Sequence, residues 1–197
     1  MFPKAPDGDY LILAAGNRLM TVHCHYMATD PRDYITLAQT GTSSNYSQYT
    51  AGGASPGTNV RTSFTKVRFN PTTLQVDIND LTFATSQGSL RHSGTEQVTS
   101  MPYGVAMSCD QANDGVGNID LRGTPFAVAD TFTVGGSDPH GSAVSSSEGQ
   151  LVEMKGRGNC GWVTSTPFVF NPFNPKVADF QLELKCTGIL ASAGICL

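Results

Sequence analysis

Charged residues are scarce in this sequence: Asp, Glu, Lys and Arg make up 14% of its 197 residues, against about 25% in an average soluble domain. The Lys and Arg residues form no run, and the formal net charge is −4. Without a basic patch to neutralise phosphates, the chain is not expected to bind nucleic acid or anionic membrane surfaces. Its polar surface must be built from Ser, Thr, Asn, Gln and Gly, a composition common among secreted β proteins.

Long hydrophobic runs are also missing. No stretch of about 18 apolar residues occurs, so no transmembrane segment is predicted. The opening residues, MFPKAP, lack the apolar region of a signal peptide. Either the chain is cytosolic, or a leader was removed and Met1 added. The second alternative fits the remaining sequence better, so we expect a secreted, extracellular protein.

Three motifs that mark common site chemistries are absent. There is no C-x-x-C pair for a structural zinc site or a thioredoxin-like centre, no H-E-x-x-H helix and no G-x-S-x-G elbow. A pair of carboxylates that cleaves glycosides is still possible, because such a pair is defined by its geometry and has no sequence motif. Glu is scarce, however, and Glu153 and Glu183 lie on alternating segments that predict solvated faces. A non-catalytic protein is therefore favoured.

Cysteine usage indicates an oxidising compartment. The five cysteines are Cys24, Cys109, Cys160, Cys186 and Cys196. In a secreted chain of this length they predict two disulfides and one leftover thiol, with the pairing open. The alternative is a cytosolic protein with five reduced, buried thiols.

The hydrophobic pattern predicts an all-β fold, an antiparallel sandwich or barrel with long Gly/Ser/Thr-rich loops and little helix. No long apolar stripe of helical period is present, whereas short alternating segments recur between Gly, Pro and Asn turns. The predicted strands are 9–13 and 18–24 (a hairpin), 34–37, 64–69, 74–78, 81–85, 117–123, 126–128, 131–134, 151–157 and 180–186. The predicted loops are 41–59, 135–149 and 168–175. We expect one domain over 1–197, with its core in 7–186 and a C-terminal tail at 187–197.

The order of several segments resembles that of a known module. These segments are DGDY at 7–10, VHC at 22–24, DYITL at 33–37, FTKVRF at 64–69, LQV at 74–76 with DLTFA at 80–84, YGVAMSC at 103–109, GNIDLRGT at 117–124 and GNCGW at 158–162. Together they are similar to the GON domain, the C-terminal module of some ADAMTS-type secreted metalloproteases. The resemblance implies a secreted module without catalytic residues of its own. Zinc and peptidase properties belong to the attached protease and are not carried over, since H-E-x-x-H is missing.

Two departures from that family pattern bear on function. The chain has fewer cysteines than the protease-linked versions, and it adds the tail at 187–197 with Cys186 and Cys196 at its borders. A stand-alone version could therefore do something that the attached module does not.

Two histidines form the first candidate site. On a strand, His23 and His25 share one face and Cys24 points to the other. The two imidazoles could ligate zinc or copper with a third group such as a loop carboxylate, in a metal-binding protein or hydrolase. The favoured interpretation is that Cys24 forms a disulfide and both histidines are solvated, because metal sites need three or four converging ligands.

An oxygen-rich segment gives a second candidate. It contains Asp110, Asn113, Asp114, Asn118 and Asp120. Calcium binds six to eight oxygens, which such loops can supply. Asx residues are also ordinary turn formers, however, and the spacing is not that of an EF-hand.

Aromatic residues supply the leading hypothesis, a recognition module for a glycan or an extracellular matrix protein. The candidate stacking residues are Tyr46, Tyr49, Tyr103 and Trp162. Sugar ring faces pack on aromatic rings, while Asn and Asp accept hydroxyl hydrogen bonds. Trp162 is alternatively a core residue beside a disulfide. Asn45-Tyr46-Ser47 is an N-glycosylation motif, which places its loop on the surface.

A third class of function is a β-barrel carrier for a small apolar ligand. Its cavity would be lined by phenylalanines, namely Phe126, Phe132, Phe168, Phe170 and Phe173. No cofactor is required by any of these patterns. The ligand and the oligomeric state are not encoded in any motif.

Overall fold

The structure, a computed structural model, describes residues 5–166 and 180–197. In chain order its strands are β1 (Gly8–Ala14), β2 (Arg18–His25), β3 (Arg32–Thr36), β4 (Tyr46–Thr50), β5 (Val60–Phe64), β6 (Lys66–Asn70), β7 (Gln75–Asp77), β8 (Ala84–Gln87), β9 (Leu90–His92), β10 (Glu96–Val98), β11 (Ala106–Ser108), β12 (Gly115–Asp120), β13 (Phe126–Val128), β14 (Phe132–Ser146), β15 (Leu151–Ser165), β16 (Phe180–Cys186) and β17 (Ile195–Cys196). The helical elements in the described part are two single 3-10 turns, Ser147–Gly149 and Ala191–Ala193. The predicted all-β fold is confirmed.

The strands form two main sheets. The first has the order β1-β2-β3-β6-β7-β16-β13, with β17 also beside β2. The second has the order β11-β15-β12-β4-β5-β8, with β14 also paired to β15, and β9 and β10 make a separate hairpin. Pairings are antiparallel except for β17 with β2 and β11 with β4. The antiparallel architecture expected from the short strands and tight turns is therefore confirmed.

One large apolar core lies between the sheets. Val22 and Ile35 of the first sheet belong to the same buried cluster as Ile119 and Met154 of the second. A smaller cluster, around Tyr49, packs beside the β9–β10 hairpin. Both sheets thus bury one face on shared side chains, as packed sheets must.

The β1–β2 hairpin follows directly from the sequence. Ala14 pairs with Arg18 across a three-residue loop, in which Gly16 and Asn17 adopt positive φ angles of 76° and 59°, and hairpin loops of this length commonly contain a left-handed residue. Ile12 packs on the core, whereas Leu11 and Leu13 are 60% and 68% exposed. The alternation predicted for this segment is therefore real.

The predicted strand 64–69 is in fact two strands in different sheets. β5 ends at Phe64 in the second sheet and β6 begins at Lys66 in the first. Thr65 is the crossing point, donating its N–H to Phe83 O and accepting from Leu37 N. Phe64, Val67 and Phe69 are all buried, because the buried face changes side when the chain changes sheets.

Two segments predicted as loops contain strands. β4 lies within 41–59 and pairs with both β5 and β12. Most of 135–149 belongs to β14, which pairs with β15 over nearly its whole length. β14 is largely solvent-exposed, so its Gly/Ser-rich sequence carries no alternating apolar signal. Its partner β15 also extends beyond the predicted stop at 157.

Three further boundaries differ from or complete the predictions. Residues 81–83 form a turn, and the predicted strand there begins only at Ala84. The C-terminal tail is attached to the first sheet, because β17 pairs with β2 and Cys196 forms a disulfide with Cys186. The predicted loop 168–175 lies outside the described residues.

Within 5–166 and 180–197, no helix has the length and apolar character needed to cross a bilayer.

Candidate ligand-binding groove

A groove opens on the outer face of the second sheet, across four adjacent strands. It is lined by Tyr46, Val116, Gly117, Asn118, Ser142, Val144, Glu153, Met154 and Lys155, and its volume is about 290 Å³. That volume is near the lower end of the range of about 300–1,000 Å³ typical of small-molecule sites. It suits one or a few small rings of a ligand.

Strand register brings the lining residues together. Tyr46 lies opposite Asn118, Asn118 opposite Glu153, and Glu153 opposite Val144. Directly opposed residues share a face of the sheet. These four therefore form one row across β4, β12, β15 and β14.

A second row runs beside the first. Val116 lies opposite Lys155, and Lys155 opposite Ser142. Glu153 and Lys155 are exposed, so their charged ends are accessible at the groove. The groove thus offers a carboxylate, an ammonium group and a hydroxyl within two adjacent rows.

The ring of Tyr46 is held in place by Arg61. The guanidinium carbon of Arg61 lies 3.5 Å from the ring centroid, a cation–π contact that favours a fixed ring orientation. Arg61 also donates to Gln48 Oε1 at 3.4 Å and to the Thr42 carbonyl. Tyr46 is half-buried and is one of the residues that line the groove. It is an anchored aromatic surface.

Asn118 is committed to the fold. Its Oδ1 accepts from the Asn45 N–H at 2.6 Å and its Nδ2 donates to the Ser43 carbonyl at 2.8 Å. Polar contacts to a ligand must therefore come from Ser142, Glu153 and Lys155. Sequence reasoning singled out Tyr46 but placed Glu153 only on a solvated face, and it did not consider Ser142 and Lys155.

The glycosylation motif is not on the surface. Asn45 is fully buried, and its Nδ2 donates to the carbonyls of Gln39 and Asp120 at 2.8 and 2.7 Å. The acceptor nitrogen is enclosed on both sides. The motif predicted a loop on the surface; residues 41–43 are exposed, but the acceptor Asn45 is not, because it serves as the polar anchor of β4.

Three of the four candidate stacking residues lie in the interior. Tyr49 and Tyr103 are 0% and 1% exposed, so neither offers a free ring face. Tyr103 donates its hydroxyl to Asn45 Oδ1 at 2.6 Å, and burial raises its pKa. Their assignment as surface ligand-binding residues is wrong. Trp162 is 7% exposed in the smaller core cluster, which matches its alternative assignment as a core residue beside a disulfide.

His23 and His25 do share a face, with ring centroids 6.3 Å apart. Each pairs with a carboxylate of the N-terminal segment: His23 Nδ1 is 2.7 Å from Asp9 Oδ1, and His25 Nδ1 is 2.7 Å from Asp7 Oδ2. Within the described residues these two histidines join no set of three ligand atoms lying within 4.8 Å of one another. The structure thus places the two imidazoles on one face of β2, each paired with its own carboxylate.

A smaller pocket of about 160 Å³ lies beside His23. Asp9 and His23 line it together with apolar side chains that include Ile35 and Phe126. Phe83 packs edge-on against both histidines. This pocket is about half the volume of the Tyr46 groove.

The oxygen-rich segment divides into two separate places. Asp110 accepts from Ala112 N at 2.7 Å and from Asn113 Nδ2 at 3.0 Å, bonds that lower its pKa. Asp114 pairs with Arg157 at 3.3 Å. Asp110 and Asn113 thus belong to an ordinary Asx-type turn, and the carboxylate of Asp114 is held by an ion pair.

The other two oxygen-bearing residues are turned inward. Asn118 joins the Asn45 network, and Asp120 is 1% exposed. The Arg122 guanidinium, 2.6 Å from Asp120 Oδ2, holds the pKa of that carboxyl below its usual range. The five oxygen ligands expected for calcium therefore do not meet at one point.

The cysteines form two disulfides, Cys109–Cys160 and Cys186–Cys196, as their number predicted. Cys24 is the remaining free thiol and is buried. Its Sγ donates to Asp33 Oδ1 at 3.4 Å, and burial raises its pKa to about 11. The interpretation that Cys24 forms a disulfide is wrong.

The phenylalanines proposed for a carrier cavity are only partly described. Phe126 is 1% exposed and packs on Phe69 with ring centroids 5.2 Å apart. Phe132 packs against the same core cluster. Phe168, Phe170 and Phe173 lie outside the described residues. Phe126 also lines the pocket of about 160 Å³ beside His23.

Fold and site together define a two-sheet β protein with a ligand-sized groove and two disulfides, which fit an oxidising compartment. A family model described as GON domain matches residues 2–57 and 50–168. The chain therefore belongs to the GON domain family, as the resemblance predicted. No curated protein and no solved structure matches it. β16 and β17, with the Cys186–Cys196 disulfide, lie beyond the matched residues.

Proposed function

We propose that this chain is a secreted, non-catalytic recognition module that binds a glycan in the groove beside Tyr46. The observation that carries the proposal is the row of Tyr46, Glu153 and Val144 across the outer face of the second sheet. Sugar recognition uses an aromatic face for the apolar side of the ring and polar groups for its hydroxyls. The groove provides both.

Each lining group has a distinct role in this proposal. Tyr46, braced by Arg61, receives the apolar face of a sugar ring. Glu153 accepts hydrogen bonds from sugar hydroxyls, while Lys155 donates to ring or hydroxyl oxygens. Ser142 does either, because a hydroxyl both donates and accepts.

Secretion is supported by composition and by cysteine chemistry. Disulfides persist in oxidising compartments and are rare in the cytosol, and this chain has two of them. Family membership points the same way, since the GON domain is an extracellular-type module.

The test is an array of immobilised glycans, followed by titration calorimetry on the best binder. Tyr46→Ala should lower affinity by at least tenfold, about 1.4 kcal/mol. Glu153→Gln should lower it to a similar degree while keeping the side-chain volume.

Matched controls come from the same chain. Tyr26→Ala removes an exposed aromatic at the end of β2 in the other sheet, and Glu148→Gln removes an exposed carboxylate from the turn that follows β14. Both variants should bind like the wild type. If no glycan on the array is bound and a deglycosylated matrix protein is bound, the glycan proposal is contradicted and a protein ligand is favoured.

A further inference from the structure

A histidine lies beside one of the two disulfides. The sulfurs of Cys109 and Cys160 and a ring nitrogen of His92 all lie within 4.8 Å of one another. His92 Nδ1 is 3.8 Å from Cys109 Sγ. These are the only three His, Cys, Asp or Glu ligand atoms so grouped in residues 5–166 and 180–197.

Three separate elements hold this group. His92 ends β9, Cys109 directly follows β11, and Cys160 lies in β15 with a positive φ of 59°. Tyr49 Oη is 2.7 Å from His92 Nδ1 and 2.7 Å from Cys109 Sγ, so it orients the imidazole nitrogen toward the sulfurs. The position of His92 is thus fixed by packing.

The spacing fits the ligand set of zinc. Tetrahedral zinc with Zn–S of about 2.3 Å and Zn–N of about 2.0 Å places its nitrogen and sulfur ligands about 3.5 Å apart. The observed separation of 3.8 Å is close to that value. Two thiolates on one zinc are about 3.8 Å apart, so the sulfurs need to part by less than about 2 Å once their bond is broken.

We propose that reduction of the Cys109–Cys160 disulfide creates a zinc site formed by Cys109, Cys160 and His92. A small dithiol supplies two electrons and two protons, breaks the S–S bond and becomes a cyclic disulfide itself. Zinc then binds both sulfurs and releases their two protons to solvent. It replaces the Tyr49 hydroxyl as the partner of Nδ1, and water takes the fourth position.

Access to the site is available from one side. His92 and Cys160 are half-buried, whereas Cys109 is 5% exposed. A reductant therefore reaches the Cys160 sulfur first, and Cys109 is the leaving thiolate. The oxidised protein has no thiolate here and should not take up zinc at this position.

The experiment compares zinc content before and after reduction. The full chain is treated anaerobically with an immobilised dithiol, which is removed, and zinc is then added and measured by mass spectrometry. We expect one zinc per reduced chain and none per oxidised chain. Cobalt(II) in place of zinc should give a thiolate-to-metal charge-transfer band.

Variants separate this site from adventitious binding. His92→Ala should lower zinc affinity by at least about 100-fold, more than the 10–100-fold loss typical of an outer-shell partner. His140→Ala, which removes an exposed histidine paired with Asp138, should change nothing. Cys109→Ser with Cys160→Ser should abolish uptake, and Cys186→Ser with Cys196→Ser should leave one zinc bound.

The near-ultraviolet circular dichroism of Trp162 reports whether the native packing survives, because this sole tryptophan lies in the same core cluster. If His92→Ala does not fold, His92→Asn gives the same comparison. Equal zinc affinity in the His92 and His140 variants would overturn the proposal. So would the absence of zinc uptake by the reduced chain, or a Trp162 signal that is lost on reduction and not restored by zinc.

Discussion

Asn45 and Asp120 exchange two hydrogen bonds across the second sheet. The Asn45 Nδ2 donates to the Asp120 carbonyl at 2.7 Å, and the Asp120 N–H donates to Asn45 Oδ1 at 2.8 Å. The amide side chain thereby replaces a backbone ladder pair between segments 75 residues apart. Together with its bonds to Gln39 and Tyr103, it uses all the hydrogen-bonding capacity of a primary amide.

The natively folded protein should therefore carry no glycan at Asn45, although the motif is intact. A glycan on Nδ2 would replace one of its two donor hydrogens, both of which are used in hydrogen bonds, and could not fit in a fully buried position. After secretion from a eukaryotic host, intact mass should not change on treatment with an N-glycosidase. As a positive control, Leu81→Thr creates a motif at the exposed Asn79, which the host should modify. A mass loss from the wild-type folded fraction would contradict this expectation.

Replacing Asn45 should be costly. Asn45→Ala leaves the Tyr103 hydroxyl and the Asp120 N–H without a buried partner, at about 1–3 kcal/mol for each group. We expect the free energy of unfolding to fall by about 3–5 kcal/mol, measured by urea denaturation. Asn79→Ala, at an exposed site, should stay within about 0.5 kcal/mol of wild type. A loss below about 1 kcal/mol at Asn45 would show that the network contributes little.

Asp130 should make stability fall as pH rises. Burial raises the pKa of its carboxyl to about 6, while the Glu183 N–H at 2.7 Å opposes that rise. Between about pH 4 and pH 6 the unfolded chain has released this proton and the folded chain retains it, so folding is increasingly disfavoured across that window. Above about pH 6 the penalty is constant, and below about pH 4 it is absent.

The Asp130→Asn variant tests this sign. The amide keeps an oxygen to accept from Glu183 N but carries no charge. We expect it to gain about 1–2 kcal/mol over wild type at pH 8 and almost nothing at pH 4, with the pH 8 gain discounted for partial solvent screening. Denaturant titrations at the two pH values provide the measurement. An equal effect at both would show that ionisation of Asp130 is not the cause.

Cys24 should be almost unreactive towards thiol reagents in the folded protein. Its thiol is buried and its pKa is about 11, so little of the reactive thiolate exists at pH 8. A thiol reagent such as DTNB should react very slowly with the native chain. It should titrate one thiol per chain in guanidinium without reductant. Cys24→Ala should titrate none, and rapid reaction of one thiol in the native wild type would contradict the burial of Cys24.

Gly135 lies against the indole of Trp162. A Cβ at Gly135 would overlap the indole ring of Trp162, its opposite neighbour in the β14–β15 pair. Gly135→Ala should therefore displace the ring, cost about 1–3 kcal/mol and shift tryptophan fluorescence to the red. Gly8→Ala, where the nearest atom is 3.9 Å away, should leave the emission unchanged. Unaltered emission in the Gly135 variant would show that the indole has room to move.

Alternation was sufficient to predict strands that bury one face. The β1–β2 hairpin and β16 were predicted from a period of two, which is the pattern of a strand that buries one face on a core. β14 is an exposed strand with little burial, so selection for apolar residues is absent and its sequence resembles a loop. β4 is rich in Tyr, Ser and Thr, which are compatible with a strand, but its flanking Gly and Ser residues obscured it.

The candidate site was predictable only in part. Tyr46 and Tyr49 lie three positions apart on the same strand and therefore point to opposite faces. Which face is the outer one depends on where the second sheet meets the core. The approach of Glu153 and Lys155 to Tyr46 depends in addition on the register of β4, β12 and β15, and no local pattern encodes that register.

By itself, the sequence determined the all-β class, the family, the low surface charge and the presence of two disulfides with one thiol left over. These properties depend on composition, short-range periodicity and the number of cysteines. Only the tertiary structure decided that Asn45 is enclosed, that Tyr46 rather than Tyr49 is accessible, and that Cys24 is unpaired. Such outcomes arise from strand order and packing between distant segments, where the whole core selects one arrangement among many that local sequence would allow.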